Sequence, residues 1–162
     1  CSACDTNYDF TKTIFDAYLE GRTLITNQAD ISAILAQRDV VMNNWEKVVA
    51  AVSVHYVNDT VEEIASLIAA GDASLSAGSS ASANYEKYWG EMRGYANGLI
   101  YNDFKLISDA DLAEIFQVMG THPVYPTNGN FDAMQAYHDA LVGLRSVFAS
   151  AYGFSQANVA GW

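Results

Sequence analysis

The chain has 162 residues, 51% of them hydrophobic and 17% charged, and its nineteen Asp and Glu against eight Lys and Arg give a net charge of -11. That length suits one domain able to bury roughly 70% of its unfolded surface, and the apolar share excludes a disordered chain because it can offset ordering entropy. The acidic balance repels phosphate backbones and anionic lipid headgroups, so nucleic acid is excluded as an expected partner.

The chain opens on Cys1, with Cys4 three residues on. A start at cysteine, with neither methionine nor a tag scar, points to a cleaved export signal, and lipoprotein processing would leave the lipid on Cys1. The same two thiols could instead close a small disulfide or bond a second chain, as export permits. As C-x-x-C the pair is a weak motif, because no second cysteine pair supports zinc and no βαβ pattern supports a thioredoxin site. The longest apolar run, Val48 to Val54, stops at His55, far short of the ~18 residues of a membrane span. The expected location is outside the cytoplasm: periplasmic, anchored at the outer membrane, or extracellular, with the membrane reached only through a lipid on Cys1.

Helical periodicity runs through the chain. The segment NYDFTKTIFDAYLEGRTLI is amphipathic and is expected to send Phe10, Ile14, Tyr18 and Leu24 into the core, with Asp9 at its positive end. From Asp30 a long helix carries Ile31, Leu35, Met42, Trp45, Val49, Val52 and Tyr56 at alternating steps of four and three, a seam expected to face the core and interrupted at Arg38. Thr60 and Glu63 fit a capping box, which predicts a fresh helix from Val61 to about Gly71. Residues 71–83, GDASLSAGSSASA, lack an apolar period and are expected to be a flexible connection between two helical halves of one domain.

The next segment, YEKYWGEMRGYANGLIYND, threads Gly90, Gly94 and Gly98 through a helix whose core stripe is expected to be Tyr85, Tyr88, Met92, Tyr95 and Leu99. Each glycine costs about 1 kcal/mol of helix propensity relative to alanine. Three at a spacing of four therefore predict a helix, or another molecule, lying close against that track. Ser108, with Asp111 three residues on, caps a short helix that stops at Gly120, and THPVYPTNGN is an ordered proline loop. A last helix begins at Asn130, presents Met134, Tyr137, Leu141, Leu144 and Phe148 inward, and ends at Gly153, with Phe154 set for a helix-stop contact. No strand is expected. The fold class is all-α, an antiparallel bundle of about five or six helices.

Three phrases, NNWEKVVAAVSVHYVND, YEKYWGEMRGYANGLIYND, and VMGTHPVYP with the closing YGFSQANVAGW, set the chain beside known proteins. Together with the W-x-E-M pattern of Trp89, Glu91 and Met92, they resemble the carboxy-terminal half of a family of uncharacterised bacterial envelope lipoproteins with imelysin-like helical architecture. The resemblance implies an exported, lipid-anchored helical protein with a ligand related to iron or haem. It also implies a longer protein of which this would be the carboxy-terminal half. The imelysin signature G-x-H-x-x-E is met here by Gly120, His122 and Tyr125 as G-x-H-x-x-Y, without its carboxylate.

Few residues carry candidate chemistry. His55 stands one turn before Asp59, and His138 one turn after Met134, so a metal or haem reading would rest on His55, His138 and Met134. The bland readings are a hydrogen-bonded histidine at 55 and 138 and core filling by the methionine. Arg38 needs a carboxylate partner, with Glu91 a candidate across the bundle, unless its head reaches water. G-x-S-x-G, H-E-x-x-H and phosphate-cradling loops are absent. Enzyme chemistry is therefore not expected, and the sequence specifies no cofactor. Two readings remain: an exported binding protein, and a self-assembling subunit of a filament or surface layer that packs through Tyr88, Trp89, the three glycines and Trp162.

Overall fold

A computed structural model of the chain describes residues 3–162, and among these it is all-α: six α-helices, no strand, and one isolated bridge between Thr127 and Asn130. α1 spans Phe10–Thr26, α2 Ile31–Ala70, α3 Ala83–Gly98, α4 Asp109–Met119, α5 Asp132–Tyr152 and α6 Gln156–Gly161. The Asp9 side chain caps α1 by accepting from Lys12 N at 2.9 Å, and Ser108 caps α4 by accepting from Asp111 N at 3.0 Å.

α2 is a single rod of 40 residues, about 60 Å long at 1.5 Å per residue. The helix break expected at Thr60 does not occur. Thr60 is buried and its hydroxyl donates back to Tyr56 O at 2.6 Å, while Val57, Val61, Ile64 and Leu67 continue one buried row through the site. A threonine satisfied by the carbonyl one turn back has no use for a cap, and packing of the row decides for helix.

The buried row of α2 also corrects the expected seam. Val41, Ala50, Val54 and Val57 face inward, whereas Ile31, Leu35 and Trp45 are exposed and Met42, Val49, Val52 and Tyr56 are half-buried. The seam lies one residue, or about 100°, round the helix from the row that packs. Tyr18 is likewise exposed instead of inward. The cause is the company α1 keeps: it packs on the first half of α2, where Ile14, Ala17 and Val41 form a small core of their own.

The main core is built from the second half of α2 with α3, α4, α5 and α6. Met134, Tyr137, Leu141, Leu144 and Phe148 of α5 all point into it, as their spacing predicts. Gly153 adopts a left-handed φ of 67°, and Phe154 N–H bonds back to Ala149 O at 3.1 Å with its ring buried, which completes the helix stop. On α3 the buried row is Tyr85, Met92 and Ala96, continued by Leu99 in the turn that follows, with Tyr88 half-buried and Tyr95 exposed and stacked on Tyr56 at 5.5 Å. The 71–83 connection has several ties: Leu75 is buried, Asp72 Oδ1 accepts from Ser74 N at 2.8 Å, and Gly78 N–H donates to Glu86 at 2.7 Å.

Candidate functional site

Sequence reading passed over Glu46. It lies on the buried row of α2, 5% exposed, and its carboxylate accepts from Asn102 Nδ2 at 2.6 Å, Leu106 N at 2.8 Å, Ile107 N at 3.3 Å and Tyr152 OH at 3.0 Å. One side chain thereby ties α2, the 102–107 segment and α5 together. Burial first, and the Glu46 charge second, push the Tyr152 hydroxyl well above its usual range. The sequence offers little signal for it, because Glu46 stands among the polar Asn43, Asn44 and Lys47, beside Trp45.

The residues of the W-x-E-M phrase join α3 to the end of α4. Trp89 Nε1 donates to Tyr137 OH at 2.9 Å and to Met119 O at 3.2 Å, and Tyr137 OH donates to the same carbonyl at 2.8 Å. Arg93 donates to Gly120 O and lies 5.2 Å over the Phe116 ring, a cation placed where the α4 dipole is negative. The proline loop is clipped on by Tyr85, which accepts from Val124 N at 2.9 Å, and by Tyr125, whose hydroxyl donates to Glu86 at 2.6 Å. Burial pushes the Tyr85 hydroxyl up to about 12, and raises Tyr125 and Tyr137 further. Met92 fills the core, while Glu91 keeps one buried oxygen, Oε2, without a hydrogen-bond partner among the described residues. Arg38 is not that partner. Its guanidinium pairs with Asp39 at 2.6 Å and lies 5.8 Å over Phe104, because its stretch of α2 precedes the segment on which α3 packs.

The candidate ligands are dispersed. Met134 is enclosed in the main core, whereas half-buried His138 bonds the surface Asp139 at 2.8 Å, so methionine and imidazole do not open on a shared cavity. His55 is exposed and pairs with Asp59 at 3.5 Å, since the unbroken α2 keeps both on one face. It lines a groove of about 550 Å³ together with Cys4, Tyr8, Phe10 and Trp162. Cys4 is held in a disulfide, and Cys1 lies outside the described residues. Trp162 packs edge-on to Phe154 at 4.8 Å and to Tyr8 at 5.8 Å, an intramolecular role. Among the described residues no three His, Cys, Asp or Glu side chains gather as a metal site.

Among the described residues no other helix covers the glycine track at Gly90 or Gly94, and α2 reaches it only at Gly98. A side chain built at Gly90 or Gly94 would meet nothing within 4 Å, and at Gly98 only Val49 Cγ1 at 3.7 Å. Gly90 lines a shallow groove beside Trp89 and His122.

The feature that does stand out is apolar and lies on α1 and the first half of α2. Three adjoining grooves all share Tyr18; Phe15 and Trp45 border one, Met42 and Trp45 the second, Ile25 and Arg38 the third. Ile31 and Leu35 extend this face along α2 at helical spacing, and Phe104 joins it over Arg38. Phe15 is 61% exposed, Tyr18 60% and Trp45 53%. No helix of the described chain is long and apolar enough to cross a membrane. No protein-family model matches the sequence, and neither a curated protein nor a solved structure shows a significant match to it.

Proposed function

We propose that this chain is an exported, non-enzymatic helical-bundle protein of the cell envelope or the exterior. It works by docking onto another protein chain through the face that Phe15, Tyr18 and Trp45 share. The observation that carries the reading is a mismatch. The α2 stripe from Ile31 to Val49 has the spacing of a core seam, yet its first half is left open to solvent. A stripe of that period gains its stabilisation only when covered. The disulfide at Cys4 supports an oxidising compartment, and the resemblance to imelysin-like envelope lipoproteins supports the same location. A lipid on Cys1 concerns a residue outside the described ones. A ligand related to iron or haem rests on the resemblance alone, whereas the self-assembling subunit of a filament or surface layer would use the same face.

The test is photo-crosslinking in the producing cells, with a benzophenone side chain at position 45 and, as control, at position 87 on α3. A protein adduct at 45 that disappears when Phe15→Asp is added supports docking. Equal adducts at both positions, or none at 45, refute it.

A further inference from the structure

We infer that the occupant of this face is a second copy of the same chain, the two α1–α2 hairpins packing across a twofold axis into a four-helix unit; this rests on the docking reading above. Two helices sharing an apolar side are half of the commonest all-helical solution, and a matching hairpin completes it with short-range packing alone. A twofold arrangement requires only that the face complement itself, so that each Trp45 can enter a groove bordered by its counterpart's Tyr18.

Area favours this occupant. With full exposures of roughly 170–250 Å² for such side chains, the exposed fractions of Phe15, Tyr18, Ile25, Ile31, Trp45 and Phe104 give roughly 750 Å², close to the ~800 Å² each partner contributes to a stable interface. Smaller additions come from Leu35 and Met42. The aromatic side chains are also the type that anchors interfaces.

Charge favours it too. At a net charge of -11 two copies repel each other over most of their surface, yet Lys12, Arg22, Arg38 and Lys47, four of the eight basic residues, all lie on α1 and the first half of α2. Arg22 and Arg38 line the groove at Tyr18, and the four basic residues are matched by Asp16, Glu20, Asp39 and Glu46 on the same stretches, with Lys12–Asp16 and Arg38–Asp39 already paired within the chain, so this part of the molecule carries no net charge. This is the least repulsive approach for a like molecule.

The test is sedimentation equilibrium of the complete chain, disulfide intact, at loadings up to about 100 µM, above the weak end of affinities for interfaces of this size. The expected mass is twice 17.6 kDa. Trp45→Asp and Phe15→Asp should each weaken dimerisation by at least about 30-fold while preserving the helical circular dichroism, and Lys87→Glu on α3 should not. A single-chain mass at the top loading overturns the inference. If crosslinks at position 45 persist in cells, docking then stands with a different partner. A dimer that survives both aspartates uses another surface and overturns it as well. A monomer whose Trp45 emission shifts on phosphatidylglycerol vesicles, but not in Trp45→Phe, assigns the face to lipid and ends both readings.

Discussion

Replacing Glu46 with leucine separates two opposed effects of a buried carboxylate. Removing the charge abolishes its desolvation penalty, and a well-packed apolar replacement of buried charges is often stabilising. Against this stand four donors, and those from Leu106 and Ile107 are backbone N–H groups that no compensating side-chain change can remove. Each buried donor left unpaired costs about 1–3 kcal/mol, though half-buried Asn102 can turn to water. Leu106 N–H lies at an exposed residue and can also reach water, but stranding the buried Ile107 N–H and Tyr152 hydroxyl outweighs the gain, for an expected net loss of about 2–4 kcal/mol, or a melting temperature lower by about 4–16 °C at this chain length. Glu46→Gln is the milder partner experiment. It retains one acceptor oxygen but sets an amide N–H₂ against Asn102 Nδ2, and Asn102 cannot reverse its amide without losing the 3.0 Å bond its oxygen accepts from Phe104 N. The expected loss is about 1–2 kcal/mol. Urea titration followed by circular dichroism reads both values. A leucine variant with an unchanged or higher midpoint and the same slope would refute the claim that the carboxylate holds the 102–107 segment in place.

Two further outcomes follow from the same structure. Tyr85, Tyr125, Tyr137 and Tyr152 all have hydroxyls raised above the ordinary value of 10.0, so their stabilising contribution is complete below pH 10 and is lost as pH climbs through their folded values. Above pH 10 stability should fall by up to about 1.4 kcal/mol per pH unit for each of the buried Tyr85, Tyr137 and Tyr152, and by less for half-buried Tyr125, whose hydroxyl is screened by solvent, with late absorbance at 295 nm appearing together with unfolding; stability constant up to pH 11.5 contradicts the burial of those three. Gly94→Ala should raise the melting temperature by about 2–4 °C, since alanine gains up to about 1 kcal/mol of helix propensity and its methyl meets open space, and a lower value in the monomer would place a close neighbour on the track.

Sequence reading succeeded where local chemistry decides. Asp9, Ser108 and Gly153 mark helix ends by side-chain oxygens or a left-handed backbone, and each does so through bonds between near neighbours. The inward row of α5 was legible because its apolar stripe meets the main core along its length. On α2 the period was legible but not the face, because apolar spacing alone does not say which side α1 and α3 cover, and the row that packs lies one residue round the helix from the stripe through Trp45. Thr60 shows the opposite failure: a motif sufficient for a cap was overruled by burial on both sides. α6 was missed although Ser155 caps it by accepting from Asn158 N at 3.1 Å, since six residues carry too little period to detect. Glu46 was illegible because its four donors come from segments 56 or more positions away.

A single helix, α2, belongs to two cores of unequal size. Three buried residues hold its first half to α1, whereas the cluster around its second half includes twenty-four. Cooperativity should therefore be tiered, with the α1–α2 hairpin opening at a lower free energy than the bundle while the helical rod links the tiers. If a second copy covers the open face, as inferred above, its binding acts on the lower tier by mass action, and the fraction of chains with a closed hairpin would rise with concentration even where the bundle's own equilibrium does not move. On that inference the less stable end of the molecule would be a concentration gauge, its protection reporting how many copies are present.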